Sequence, residues 1–207
     1  LSVSGESEMQ QRGLDQLCAS RQLLGAHRPG AYAEYVAVPA QSVAVLPAGM
    51  ALRTGALVEP AACGVRIGEL AGGVAGQDCV ITGARPIGLL PPQALQLTGA
   101  ARVFVAALDP ARLAMSGELG AIMLDPAVTE VVDFVRRATA IRGAAVAVDA
   151  VGMGITRTQC VAAVKSTGTV ILSGLHEELL GLTAAHVGGL ICRVGGDPEP
   201  DHEDRSH

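Results

Sequence analysis

The chain has 207 residues, 49% of them apolar, which suits one α/β domain plus part of another and is ample for a core. Its formal charge of −5, with 14 arginines and one lysine scattered rather than striped, gives a nucleic-acid partner no electrostatic support. No apolar run approaches the roughly 18 uncharged residues of a membrane helix, and the opening LSVSGESEMQQRG lacks the plan of a secretion signal, so a cytoplasmic protein with no membrane partner is expected.

In chain order, residues 1–20 are polar and mixed, and order is expected to begin near RQLLGAHRPG, a turn signal. AYAEYVAVPAQSVAVLP then alternates in two short stretches broken by Pro39, which predicts strands meeting at a turn on a sheet edge. TGALVEPAACGVRIGELAGG spaces apolar residues near i, i+3 and i+4 for about four turns. It predicts a linker helix capped by Thr54 and closed by Gly72 and Gly73.

From Asp78 the pattern becomes repeated strand and helix: CVIT, a helix over 86–98, RVFVAA, a helix over 110–118, AIML, a helix over 128–141, AVAVDAV, a helix over 155–165, TVILSG, and LICRV as a candidate last strand. Strands apolar along their whole length are covered on both faces, which implies a doubly wound parallel sheet between helix layers, an α/β Rossmann architecture. The expected organisation is a first segment over 1–52, a linker helix over 53–76 and the doubly wound domain over 77–196. A disordered tail is expected over 197–207, where five acids meet no apolar side chain.

In such a sheet the ligand sits beyond the strand carboxyl ends, so the turn after the first strand is the candidate site. A dinucleotide turn reads G-x-G-x-x-G, and here it reads Gly83-Ala84-Arg85-Pro86-Ile87-Gly88. The first and third glycines are present and Pro86 suits a first helical turn. Arg85 leaves two readings: its side chain crowds the place where backbone should face phosphate, or its guanidinium binds that phosphate by charge. Pro91 and Pro92 should kink the following helix or delay its start.

The acid expected about 20 residues on, to hold the ribose hydroxyls, is replaced by Ala107. Asp109 reads equally as a ribose ligand or as the cap of the next helix, with Arg112 a turn further on, and loss of the acid leaves both NAD and NADP open. Cys18, Cys63, Cys79, Cys160 and Cys192 are widely spaced, odd in number and without a CxxC pair, so buried reduced thiols are expected rather than disulfides or a self-contained zinc site. Likewise, His27, His176, His186, His202 and His207 match no paired metal spacing.

GAYAEYVAVPAQSVAVLP, ALVEPAACGVRIGEL, VITGARPIGLL, AVDAVG and GTVILSGL, in this order and spacing, resemble the zinc-containing medium-chain alcohol dehydrogenases, with the polyol and threonine dehydrogenases the nearest branch. The resemblance spans residues 14–196. It implies a GroES-like β catalytic domain, of which only a remnant is expected, a Rossmann domain, a catalytic zinc, and oxidation of an alcohol or polyol by hydride transfer to NAD or NADP.

The same resemblance puts the family's cysteine and His–Glu zinc ligands upstream of residue 1, so zinc is expected to be absent or incompletely held and the chain's own turnover doubtful. Cys18 matches the last cysteine of the family's structural-zinc lobe but on its own reads as a stray thiol, and Glu59 matches a glutamate that faces the catalytic metal but without the other ligands reads as a helix-terminal acid. Val151, Gly152, Ser173, Gly174 and Leu175 are implied to line the nicotinamide half, and GGLICRVGG a sheet edge through which copies pair into a homo-oligomer. A different reading of the same residues is a non-catalytic Rossmann remnant that binds nucleotide weakly or assembles with partners.

Overall fold

The computed structural model describes residues 8–12, 18, 20–176 and 192–195. They divide into two units, Leu1–Gly55 and Ala56–His207. The expected tail over 197–207 and the histidines at 186, 202 and 207 lie outside the described residues.

In the first unit the turn at Gly25 closes through a Gly25 amide bond to the Arg28 carbonyl at 2.9 Å. Two one-turn helices, α1 (Glu8–Gln11) and α2 (Leu52–Gly55), flank it. The strands expected over 31–46 do not form, and Tyr32, Tyr35 and Val45 stand at least 90% exposed. Alternation becomes a strand only where a second backbone completes the ladder, and no described residue of this unit does so. A GroES-like β remnant is accordingly not seen among the described residues. Thr54 lies inside α2 and caps nothing downstream.

The second unit opens with α3 (Val58–Ala71), which starts after Leu57 without a side-chain cap and ends at Gly72, φ +70°, as the glycine signal requires. There follow β1 (Asp78–Thr82), α4 (Pro86–Leu89), α5 (Pro91–Leu97), β2 (Arg102–Ala106), α6 (Pro110–Glu118) and β3 (Ile122–Leu124). The chain continues through α7 (Val131–Ala138), β4 (Ala144–Asp149), α8 (Gly154–Ala163), β5 (Val164–Leu172) and β6 (Cys192–Gly195).

The sheet runs β3-β2-β1-β4-β5-β6. Its first five strands are parallel, with Cys79 opposite Val103 and Val80 opposite Phe104, while β6 is antiparallel to β5. The two-residue period of a strand sorts its side chains into two cores. Cys79, Ile81, Val103, Val105, Val146 and Val148 pack on one face with Ile67 of α3, Leu95 of α5 and Leu113 of α6. Val80, Phe104, Ala147 and Val170 pack on the other with Val131 and Val135 of α7 and Cys160 of α8. Each large apolar side chain fully buried this way contributes about 1.5–3 kcal/mol. Helices on both faces therefore explain why these strands are apolar throughout. No helix among the described residues is long and apolar enough to cross a membrane.

Three boundaries differ from expectation for local reasons. Pro91 and Pro92 split the expected 86–98 helix into α4 and α5 at Leu90, because neither can donate to the preceding turn. The expected 128–141 helix starts only at Val131, since Asp125 draws the amides of Ala127, Val128 and Thr129 into a turn first. It stops at Ala138, where the Thr139 hydroxyl donates back to the Val135 carbonyl at 2.8 Å and accepts the Gly143 amide at 2.9 Å.

Candidate functional site

The sheet order reverses between β1 and β4, so a crevice for ligand is expected where the carboxyl ends of these strands diverge. The turn after β1 lies there. Gly83 has φ +97°, a conformation that L side chains rarely adopt, and its amide donates to the Ala106 carbonyl at 2.7 Å. A Cβ on Gly88 would overlap the Gly83 carbonyl oxygen, so α4 rests directly on the turn. Both glycines read from sequence are thus required by the backbone.

Arg85 is the N-cap of α4, exposed, with φ −75° and ψ 175°. Any L residue adopts that conformation, so the middle position of this turn needs no glycine. The guanidinium makes no capping bond to α4, and Pro86 takes the first helical position, where a missing N–H costs nothing. Ile87 is half-buried against the turn.

Beyond β2 and β3 opens a cleft of about 450 Å³ lined by Ala107, Leu108, Pro110, Leu113, Met123, Asp125 and neighbouring residues. Asp109 stands at its rim as the N-cap of α6, accepting the Arg112 amide at 3.1 Å, with Arg112 Nε 3.5 Å from its carboxylate. The cap reading of Asp109 is therefore satisfied in the structure. Ala107 follows β2 where the acid is expected, and among the described residues Asp125 is the carboxylate that lines the cleft.

On the other side of the crevice, Val151 and Gly152 follow β4, and Ser173, Gly174 and Leu175 follow β5. The amides of Ser173 and Gly174 both donate to the Asp149 carbonyl at 2.8 Å. The feature that sequence reasoning missed is the Asp149 carboxylate, which is fully buried. Its Oδ1 accepts from Thr82 Oγ1 at 3.2 Å, Thr156 Oγ1 at 2.9 Å and the Val151 and Gly152 amides at 3.0 Å each. Oδ2 accepts a second bond from Gly152 at 3.1 Å and lies 3.7 Å from Arg157 Nε, itself buried. The signal was present as the lone acid ending the apolar run AVAVD, but nothing in the sequence shows four donors and a guanidinium converging on it.

Burial, reinforced by Asp78, pushes the Cys79 thiol up to about 12. Burial likewise pushes the Cys160 thiol up to about 12, with a hydrogen bond to Thr82 working against it. Both stay neutral packing groups at ordinary pH. Glu59 is exposed in the first turn of α3, and it adds to burial in raising the Cys63 thiol, so the two share a helix face. They do not make a metal centre: among the described residues no group of three or more His, Cys, Asp or Glu could hold an ion. Cys18 is buried and lies 3.1 Å from the Ser20 hydroxyl. The described residues do not fit a zinc ion.

Comparison with known proteins agrees with this geometry. The L-threonine 3-dehydrogenase of Chelativorans sp. (strain BNC1) is 33% identical over 118 residues, covering 57% of this chain and 34% of that protein. The L-threonine 3-dehydrogenase of Symbiobacterium thermophilum is 31% identical over 170 residues, covering 82% and 48%. A crystal structure of a zinc-binding dehydrogenase from Sinorhizobium meliloti 1021, bound to NADP, superposes with a TM-score of 0.77 at 28% identity, covering 90% of this chain and 56% of that one. The chain spans between a third and a half of the length of these curated relatives. The family profile described as zinc-binding dehydrogenase matches residues 86–195, a little over half of the chain, and the chain belongs to that family.

Proposed function

We propose that this chain is the dinucleotide-binding portion of an NAD(P)-dependent dehydrogenase acting on an alcohol or polyol, in the cytoplasm. The observation that carries the reading is the place of the Gly83–Gly88 turn, which joins β1 to α4 at the switch point of the sheet. In this reading Gly83, Pro86, Ile87 and Gly88 seat the pyrophosphate, and Arg85 supplies positive charge to it. The cleft at Ala107 takes the adenosine, with Asp109 and Arg112 at its rim. Val151, Gly152, Ser173, Gly174 and Leu175 form the wall for the nicotinamide, which when bound exchanges hydride with the substrate carbon.

Both NAD and NADP suit a second strand that ends without an acid. The relative solved with NADP is compatible with the phosphorylated form. Copies of the chain are read as pairing through β6, the outer strand of the sheet. Glu59 is read as a metal-facing carboxylate only within a complete enzyme. The second reading, a nucleotide-binding module without turnover of its own, is favoured by the lack of any three-residue metal cluster among the described residues.

Titrating NADH and NADPH by their own fluorescence tests the reading. Saturable micromolar binding of at least one is expected. No enhancement from a chain that shows a folded circular-dichroism spectrum would overturn it.

A further inference from the structure

The Asp149 network has no part in the reading above, yet it is the most heavily bonded buried polar group among the described residues. We propose that Asp149 is a positioning residue for the nicotinamide half of the dinucleotide: its carboxylate and carbonyl together fix the two loops of the nicotinamide wall. The inference rests on the proposed function and goes beyond it by assigning that wall's geometry to one side chain.

Two sets of contacts make the case. The carboxylate collects the amides of Val151 and Gly152, and the carbonyl collects those of Ser173 and Gly174, so a single residue holds both loops from behind. The loops also interlock: a Cβ on Gly152 would overlap the Gly174 backbone, and a Cβ on Gly174 would overlap Val151 and Gly152. With no side chain between them, the position of each backbone is set by the other, and a shift at Gly152 passes directly to Gly174. Hydroxyls of Thr82 and Thr156 add two bonds to Oδ1, and the buried guanidinium of Arg157 stands 3.7 Å from Oδ2 as an ion pair. A group that can only accept is the group this ring of donors requires.

The pyrophosphate turn touches this network through the Thr82 hydroxyl and through the Val151 side chain that lies against Gly83, but none of its own backbone bonds runs to the carboxylate. The pyrophosphate turn is held by Gly83 to the Ala106 carbonyl at 2.7 Å, by Gly88 to the Arg85 carbonyl at 2.7 Å, and by the Ala150 amide to the Thr82 carbonyl at 2.9 Å. Thr82 keeps the Val148 carbonyl within 3.4 Å as a second acceptor for its hydroxyl. The adenosine cleft is lined by residues of α6, β3 and the segments that follow β2 and β3. Ligands that lack nicotinamide should therefore be indifferent to the change.

The test is Asp149→Asn in the full chain, with NADH binding followed by fluorescence and ADP binding by calorimetry. Asn keeps the size of the side chain but turns an NH2 group toward a ring of donors. The double variant Asp149→Asn/Arg157→Gln carries the same test with a neutral pair, should the single variant fold poorly. NADH is expected to bind about tenfold or more weakly, and ADP to hold within about twofold of the native chain. Parallel weakening of both ligands, or no weakening of either in a folded variant, would overturn the inference and leave the proposed function intact. If the native chain binds neither NADH nor ADP, the proposed function fails and takes the inference with it.

Discussion

Replacing Gly88 by alanine is expected to destabilise the chain by about 2 kcal/mol, against the direction that helix propensity predicts. Alanine in place of glycine in an exposed helix gains up to about 1 kcal/mol. Here the new methyl would overlap the Gly83 carbonyl oxygen and come within 2.7 Å of its carbon, and it would also meet the Ala150 Cβ at 3.4 Å. Two of these neighbours are backbone atoms of a turn at positive φ, so relief requires moving α4 off the sheet rather than turning a side chain. Overpacking of that kind costs about 3 kcal/mol, which outweighs the propensity gain and lowers the melting temperature by roughly 4–8 °C in a chain of this length. The same displacement opens the turn, so NADH affinity should fall with it. Thermal melts followed by circular dichroism read the first effect, and an unchanged midpoint would mean that α4 does not rest on Gly83.

Removing either member of the buried Asp149–Arg157 pair is expected to be costly, but unequally. Asp149→Ala removes the anion beside the buried Arg157 guanidinium and the acceptor of the Val151 and Gly152 amides, while the Thr82 and Thr156 hydroxyls keep the Val148 and Met153 carbonyls, and should cost about 3–5 kcal/mol. Arg157→Met removes the counter-charge yet leaves the carboxylate four other donors, so it should cost about 1–2 kcal/mol. The contact of 3.7 Å between Arg157 Nε and Oδ2 is long beside the 2.9–3.2 Å bonds from the hydroxyls and amides, which supports the same ordering. Urea denaturation of the two variants checks it. Equal losses, or a larger loss from Arg157→Met, would show that the ion pair rather than the hydrogen-bonded shell dominates.

Most of the second unit was legible because its signals are short-ranged. Apolar runs such as CVIT and RVFVAA can satisfy two faces only in a covered parallel sheet, and the structure pairs Val80 with Phe104 accordingly. Gly83, Gly88 and the double proline carry conformational restrictions that do not wait for tertiary context. The misses depend on context. Residues 31–46 alternate as a strand would, yet alternation says which faces are apolar and nothing about whether a partner backbone is present. Ile141 sits at φ 68° although it is β-branched. Its amide is drawn to the Arg136 carbonyl at 2.6 Å, in a turn built around the Thr139 hydroxyl, and no propensity anticipates that.

The site divides along the same line. The glycines of the phosphate turn and the capping role of Asp109 could be read from spacing. By contrast, the donors around Asp149 come from β1, α8 and the loop between β4 and α8, and they meet only once the sheet has formed. In the proposed reading, sequence pointed to the turn that seats a dinucleotide but not to the carboxylate that collects the amides of the loops beside it.

Amide resonances of the 15N-labelled chain, recorded as NADH is added, test the central claim most directly. The account predicts progressive shifts at Gly83, Ala84 and Gly88 and at Val151, Gly152, Ser173 and Gly174, all saturating at one ligand per chain. Binding that leaves the Gly83–Gly88 turn unperturbed, or that shifts residues only at the opposite ends of the strands, would contradict it.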